Sequence, residues 1–446
     1  MSLARSVVSS LVGSSRGVRT ARGLFALAGA ALVAACGQVT SDHIRPELPL
    51  WVSRPSGAIE LVFRRSLSAP SRKVGEELER GRPEIDRFYG RVFVGSTDHG
   101  LYALKASDGS TIWRFETMAP VQSEPYYDEE LDAVFFGSND GALYAVRARD
   151  GGLLFRYDTK MEVFRKPVRV GEKLIFANVG DQLFCLDRRT GDTKWKTGRT
   201  PALGMEIAGH AGPMVRGNRV YFAFSDGHVS AYDVATGEEK WSPVDLTLEA
   251  ESSKASDLSK FLDVDTTPVY VPSPTGPGLV IAASFAGGLF ALDPDNGGRV
   301  WANTDLHGAT DMILFSEPAH LSRPSPSGEV RRIPALRRLI VSSTTTGLWS
   351  IDPYTGKTDW RNKLPEGGIS APTQMSGAIM VGTSRYGLFL ISPISGLPID
   401  GIDPGTGFSS NIASYGNKAF AMTNGGTLMA LSVDFGQTPS NTRWAW

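Results

Sequence analysis

The sequence predicts an all-β chain: an eight-bladed β-propeller of four-stranded antiparallel blades, closed by an N-terminal strand. Three observations carry that prediction. A repeat recurs along most of the 446 residues, every copy has the same hairpin layout, and a lone strand near the N-terminus matches one that the last copy lacks. Seven segments align, beginning at Arg91, Ala133, Leu174, Arg219, Leu279, Leu339 and Ala378, and a truncated eighth begins at Lys418. Fixed self-similarity at this spacing is the mark of a stacked repeat architecture.

The orphan strand comes first in the chain. Ile59-Glu-Leu-Val-Phe-Arg-Arg-Ser-Leu67 has the character of a fourth strand without its other three, and the Lys418 copy stops after three. Pairing the two removes both open edges. Within each full copy an apolar run such as Val92-Phe93-Val94 precedes a polar, glycine-containing turn and a second β-rich run such as Gly100-Leu-Tyr-Ala-Leu104. A Thr-Gly or Asp-Gly turn then leads to a strand carrying Trp113, Phe155, Trp195, Trp241, Trp301 or Trp360. Short runs joined by such turns are antiparallel hairpins. Upstream, Pro125, Pro167, Pro213, Pro268, Pro318 and Pro372 each open a further short strand, a position where proline costs no ladder donor. The aromatics recur about every 40–60 residues, the length of one four-stranded blade, and read as blade-to-blade packing. A propeller over 51–446 follows.

The residues ahead of it have a different character. Residues 1–35 hold no acidic residue and four arginines, followed by the apolar run Leu24–Ala35. Twelve residues are too few to cross a bilayer as a helix, which needs roughly 20, and the pattern is that of an export signal. The run ends Val33-Ala-Ala-Cys36-Gly37, which resembles the bacterial lipobox, so Cys36 is expected to carry the lipid and become the mature N-terminus. More than one acyl chain anchors stably where one does not. Residues 36–50, with Pro46 and Pro49, read as a polar tether.

Charge and cysteine content exclude several functions. Lys and Arg number 46 against 47 Asp and Glu, and removal of the four leader arginines takes the net charge from −1 to about −5, so a nucleic-acid partner is not expected. Two cysteines build neither a disulfide framework nor a cysteine-based metal centre, and Cys185, in an apolar run, reads as a buried thiol. Asp293-Pro-Asp-Asn-Gly-Gly298 lacks the oxygen ligand and the distal Glu of a calcium loop and reads as a hairpin turn. The six histidines have no ligand spacing, and Gly382-Thr-Ser-Arg-Tyr-Gly387 is not a nucleophile elbow. No catalytic residue, cofactor or metal is predicted.

The repeat, with its Ala-Leu-Asp, Thr-Gly and Trp elements, resembles the pyrroloquinoline-quinone-type propellers, which include quinoprotein dehydrogenases. Those enzymes carry adjacent cysteines, which this chain lacks. A closer resemblance lies in Phe261-Leu-Asp263-Val-Asp265-Thr-Thr-Pro268, followed by Leu279–Asp293. It is similar to the Asp-Val-Asp-Thr-Thr-Pro segment of the BamB family, propeller lipoproteins of the outer-membrane β-barrel assembly machinery. The resemblance implies a non-enzymatic scaffold at the periplasmic side of the outer membrane, held there by the lipid on Cys36. It would dock on the periplasmic domains of the barrel subunit, with Asp263 and Asp265, and the neighbouring Ile207 and His210, at the contact. Two carboxylates two apart on an extended segment share a side and suit a basic or β-edge partner. The same two could also accept turn hydrogen bonds. Where the family often reads Leu-Arg-Gly-Glu-Ser-Ala-Pro, this chain has Ile207-Ala-Gly-His210-Ala-Gly-Pro213, so the arginine and glutamate positions differ. Nascent outer-membrane chains are a further partner that edge pairing would serve. Two other readings stay open: a propeller scaffold of a different envelope complex, and a quinone-dependent dehydrogenase. Two insertions, Thr247–Lys260 and the arginine-rich Ser322–Arg338, read as loops.

Overall fold

The computed structural model describes residues 56–67, 79–201, 210–247, 264, 266–273, 275–321, 329–363 and 368–435. The expected signal and tether, with Cys36, lie outside the described residues, as do Ile207, Asp263, Asp265 and 248–260. The described strands form eight four-stranded antiparallel sheets, which are the eight blades. Blade 1 comprises Glu84–Asp86, Arg91–Gly95, Gly100–Lys105 and Thr111–Glu116, from the axis outwards. Blades 2 to 7 repeat it with innermost strands Tyr126–Asp128, Val168–Val170, Met214–Arg216, Val269–Val271, Ala309–Glu317 and Thr373–Met375. Blade 8 begins with Ala413–Tyr415, which lies beside both Thr373–Met375 and Glu84–Asp86 and so completes the ring.

The repeat chemistry explains the blade. The second strands, such as Arg91–Gly95 and Ala133–Gly137, are buried on both faces and are accordingly apolar, except that Arg91 at the start of the first is held by Asp86 and Asp132. The outermost strands alternate, with one aromatic turned inwards. In blade 1 that strand carries a β-bulge: Trp113 lies opposite Ala103 while Thr111 lies opposite Leu104, leaving Ile112 as the extra, exposed residue. Bulges of this kind twist an edge away from further pairing. Trp113 packs over Gly151 of the next blade and donates its indole N–H to the Ala148 carbonyl at 2.8 Å. The same contact recurs: Phe155 on Gly191, Trp195 on Gly237, Trp241 on Gly297, Trp301 on Gly356 and Trp360 on Gly396. At Gly237, φ is +74° and a Cβ would stand 2.7 Å from the Trp195 ring, so both backbone and space require glycine there.

Closure occurs as the sequence predicts. Ile59–Ser66 pairs antiparallel with Thr427–Val433 and supplies the outermost strand of blade 8. It has the bulge too, between Leu61 and Phe63, and Phe63 packs on Gly109 of blade 1 as the tryptophans do elsewhere. Blade 7 is the exception. In its outer strand, Pro398–Ile402, the aromatic position opposite Leu390 is Asp400. Blade 8 offers no glycine turn there, because its outer strand enters from the N-terminus. Buried Asp400 instead accepts the Ile59 backbone N–H on Oδ2 at 2.9 Å, and the Ile399 carbonyl accepts that of Ser56.

Two expectations are corrected. Pro318 does not open a strand; it follows Ala309–Glu317, because proline has no N–H to continue the ladder. The arginine-rich insertion is not wholly loop. Arg332–Ile333 pairs with His320–Leu321, and Leu336–Ser343 is the second strand of blade 6, with Arg337 opposite Ser316 and Arg338 opposite Phe315. Arg338 pairs with Asp359 at 2.7 Å and Arg337 donates to the Tyr354 hydroxyl at 2.6 Å, so both are bound to their blade.

Cys185 lies in Gln182–Asp187 of blade 3, fully buried, with its thiol pushed up to about 11 by loss of hydration. At pH 8 only about one thiol in a thousand is then ionised. The folded protein is expected to resist iodoacetamide at pH 8 and to take one label at Cys185 after denaturation. Stoichiometric labelling of Cys185 in the native protein, read by peptide mass spectrometry, would contradict this burial.

Candidate functional site

Connections between blades run from each outermost strand back to the next innermost strand, and they gather on one face around the axis. The residue before the strand-opening proline is charged in three successive blades: Arg82-Pro83, Glu124-Pro125 and Lys166-Pro167. Proline holds its predecessor extended. These side chains line the axial channel, where Arg82 pairs with Glu124 at 3.4 Å and Lys166 with Glu84 at 2.6 Å. Burial, together with repulsion from Arg165, lowers the pKa of Arg82. Burial raises that of Glu84 against the pull of Lys166. For Lys166, burial is outweighed by Glu84 and Glu124, and the ammonium is held charged.

A cavity of about 510 Å³ lies in the channel, walled by Arg82, Phe164, Arg165, His210, Phe285 and Asp311 among others. His210 belongs to the connection from blade 3 to blade 4. Its ring stacks on Phe164, with centroids 6.0 Å apart and planes 3° from parallel. Burial, and then the nearby Arg165 guanidinium, push its pKa down to about 4, so it is neutral at physiological pH. A neutral stacked imidazole packs; it does not replace the family glutamate as a charge.

The next connection, from blade 4 to blade 5, is joined to it. The Gly212 N–H donates to Thr267 Oγ1 at 2.8 Å. Val264, the residue between the two aspartates, is buried and its N–H donates to the Phe224 carbonyl. Thr266 Oγ1 exchanges hydrogen bonds with the Ala283 carbonyl and N–H in the adjacent strand. His210 and the residues flanking Asp263 and Asp265 thus belong to two connections fastened to each other. Sequence reasoning missed Arg165, whose Nε donates to the His210 carbonyl and whose Nη1 pairs with Asp311 at 2.9 Å. Its only sequence signal is its place in the Phe164-Arg-Lys-Pro167 stretch just ahead of an innermost strand.

Among the described residues, no three His, Cys, Asp or Glu side chains stand close enough to hold a metal ion. Three ion pairs cross the channel, Arg82 with Glu124, Lys166 with Glu84 and Arg165 with Asp311. The arrangement is suited to fixing loop conformation at one face of a rigid ring.

Comparison with known proteins agrees with this architecture. A curated relative, the outer membrane protein assembly factor BamB of Legionella pneumophila (strain Paris), is 23% identical over 233 residues, which are 52% of this chain and 53% of that protein. The chain therefore spans about half the length of that relative. Among solved structures, BamB from Moraxella catarrhalis superposes with a TM-score of 0.65 at 19% identity, covering 84% of this chain and 99% of that one. The quinohemoprotein alcohol dehydrogenase ADHIIG from Pseudomonas putida HK5 superposes with a TM-score of 0.60 at 13% identity, covering 86% of this chain and 77% of that one. These structural likenesses share the propeller fold. The family model described as "Outer membrane protein assembly factor BamB" matches residues 71–134 and 130–336, more than half of the sequence, and the chain belongs to the BamB family.

Proposed function

We propose that this protein is a non-enzymatic scaffold in the assembly of outer-membrane β-barrel proteins. It is exported, lipidated on Cys36 and held at the periplasmic side of the outer membrane, and its propeller docks on the periplasmic domains of the barrel subunit. The observation that supports this most is the pairing of the family match with two fastened connections on one propeller face. One carries His210; the other flanks buried Val264 and, through it, Asp263 and Asp265. A preordered loop pair loses less entropy on binding than two independent loops do. Carboxylates there suit a basic or β-edge partner.

The departures from the family pattern at Ala208 and His210 leave the aspartates as the charged part of the contact. The double substitution Asp263→Arg/Asp265→Arg is expected to weaken binding to the barrel subunit's periplasmic domains at least about 100-fold, since like-charge juxtaposition at an interface costs several kcal/mol. Calorimetric titration checks this, with circular dichroism confirming that the variant folds. A second reading, quinone-dependent dehydrogenase, shares the fold of the Pseudomonas enzyme, but the chain has only Cys36 and Cys185, far apart, where those enzymes have adjacent cysteines. Substrate-dependent dye reduction after addition of quinone and calcium would favour that reading instead.

A further inference from the structure

Arg165 lies deep in the channel, its side chain 8% exposed, at the end of the connection between blades 2 and 3. One edge of its guanidinium, through Nε, holds the backbone carbonyl of His210 in the connection between blades 3 and 4. Its Nη1 reaches Asp311, on the innermost strand of blade 6. Arg165 also forms the floor on which the following turn rests. A Cβ added at Gly212 would stand 3.2 Å from Arg165 Cβ and 3.0 Å from Thr267 Oγ1. The Gly212 N–H then carries the constraint onward to Thr267 and the blade 4 to blade 5 connection.

We propose that Arg165 is the positioning residue of the docking face, fixing the His210–Gly212 segment by bridging its backbone to Asp311 across the channel. The inference rests on the docking function proposed above, and it makes the channel ion pair a determinant of partner affinity although Arg165 itself is too buried to form the contact. The fork geometry matters. Arginine presents donors in two directions at fixed angles, whereas a lysine ammonium on a flexible stem cannot hold the carbonyl and the carboxylate in the same arrangement. His210 adds a second hold through its stack on Phe164, which keeps the carbonyl turned towards Arg165.

The test separates positioning from stability. Arg165→Met alone leaves Asp311 without this partner and also disturbs folding. The double variant Arg165→Met/Asp311→Leu removes both charges and keeps apolar volume in the channel. Amide hydrogen exchange at Gly212, denaturation midpoint and affinity for the barrel subunit's periplasmic domains are measured for wild type, both variants and Arg165→Lys. The expected result is a double variant with a denaturation midpoint close to wild type, exchange at Gly212 at least about tenfold faster, and affinity about tenfold weaker, with Arg165→Lys failing to restore either. Wild-type exchange at Gly212 in the double variant would overturn the positioning role. Faster exchange with unchanged affinity would overturn its link to docking. If wild-type protein does not bind those domains, the docking function itself falls, and Gly212 exchange alone then decides whether Arg165 sets the segment.

Discussion

Arg188→Ala is expected to lower stability by about 3 kcal/mol, the low end of the range for breaking a buried ion pair. Arg188 lies in a turn of blade 3 with its side chain wholly buried, and it joins that blade to blade 2. Its Nη1 meets Asp128 Oδ2 at 2.7 Å, and its Nη2 meets Glu172 at 2.9 Å and Glu130 at 3.0 Å. Burial alone would lower its pKa, but hydrogen bonds to Glu172, Asp128 and Glu130 together raise it. Asp128 is itself fully buried, at the end of the innermost strand of blade 2. Truncating Arg188 leaves that carboxylate with Arg169 at 3.4 Å and the N–H groups of Glu130 and Leu131, which is why the low end applies. The double variant Arg188→Met/Asp128→Leu is expected to recover only part of the loss: removing both charges avoids an uncompensated one, but it also takes the acceptor from the Glu130 and Leu131 N–H groups. Guanidinium denaturation at constant m-value measures both. A loss below about 1 kcal/mol for Arg188→Ala would mean that this pair does not hold blades 2 and 3 together.

Deleting residues 56–67 has the other large effect. It removes the fourth strand of blade 8 and leaves the outer edge of Thr427–Val433 unpaired, its inner edge still paired with Lys418–Met422. Phe63 is lost from Gly109 and from its ring contact with Phe420, and Asp400 loses the Ile59 N–H, keeping that of Gly401. The stability loss is expected to exceed the roughly 3 kcal/mol of truncating one packed aromatic. The bare strand, no longer covered by a bulged one, is expected to drive association between copies. Size-exclusion chromatography and denaturation read the two effects. A monomeric deletion variant with an unchanged midpoint would show that the ring does not depend on its closing strand. Asp400→Ala isolates the clasp alone and is expected to cost about 1–3 kcal/mol, through loss of a charge-assisted hydrogen bond.

Much of this fold is legible in the sequence because each blade must satisfy the same local demands. Trp113, Trp195 and Trp301 recur because each needs a glycine turn in the next blade to pack on, and those glycines recur with them. Phe63 was legible as part of an orphan strand, since Ile59–Leu67 has the composition of a fourth strand and no hairpin partner nearby. Asp400 was not, because it replaces the aromatic only at the one junction where no glycine turn follows, and a single carboxylate in a weak repeat carries no periodic signal. Pro318 misled for a related reason. In six blades proline opens the innermost strand, but the inserted hairpin of blade 6 moves its proline to the strand's far end.

The channel was less legible than the blades. The charged residues before Pro83, Pro125 and Pro167 are visible in the sequence, but their pairing depends on strands that meet only when the ring closes. Arg165 and Asp311 are 146 positions apart and belong to no motif. On the docking face, the resemblance pointed to His210 as a contact residue. Its ring packs against Phe164 as a neutral group, so under the proposed function that segment would contribute shape and the charge would come from Asp263 and Asp265.

Under the proposed function, this propeller docks on the barrel subunit of the outer-membrane assembly machinery through that face. The most direct measurement is a calorimetric titration of purified propeller into the barrel subunit's periplasmic domains, run in parallel with Asp263→Arg/Asp265→Arg. The expected result is saturable one-to-one binding by the wild type and at least about 100-fold weaker binding by a variant with an unchanged fold. Equal affinity of the two proteins would place the contact elsewhere on the ring, and no binding by the wild type would contradict the assembly role.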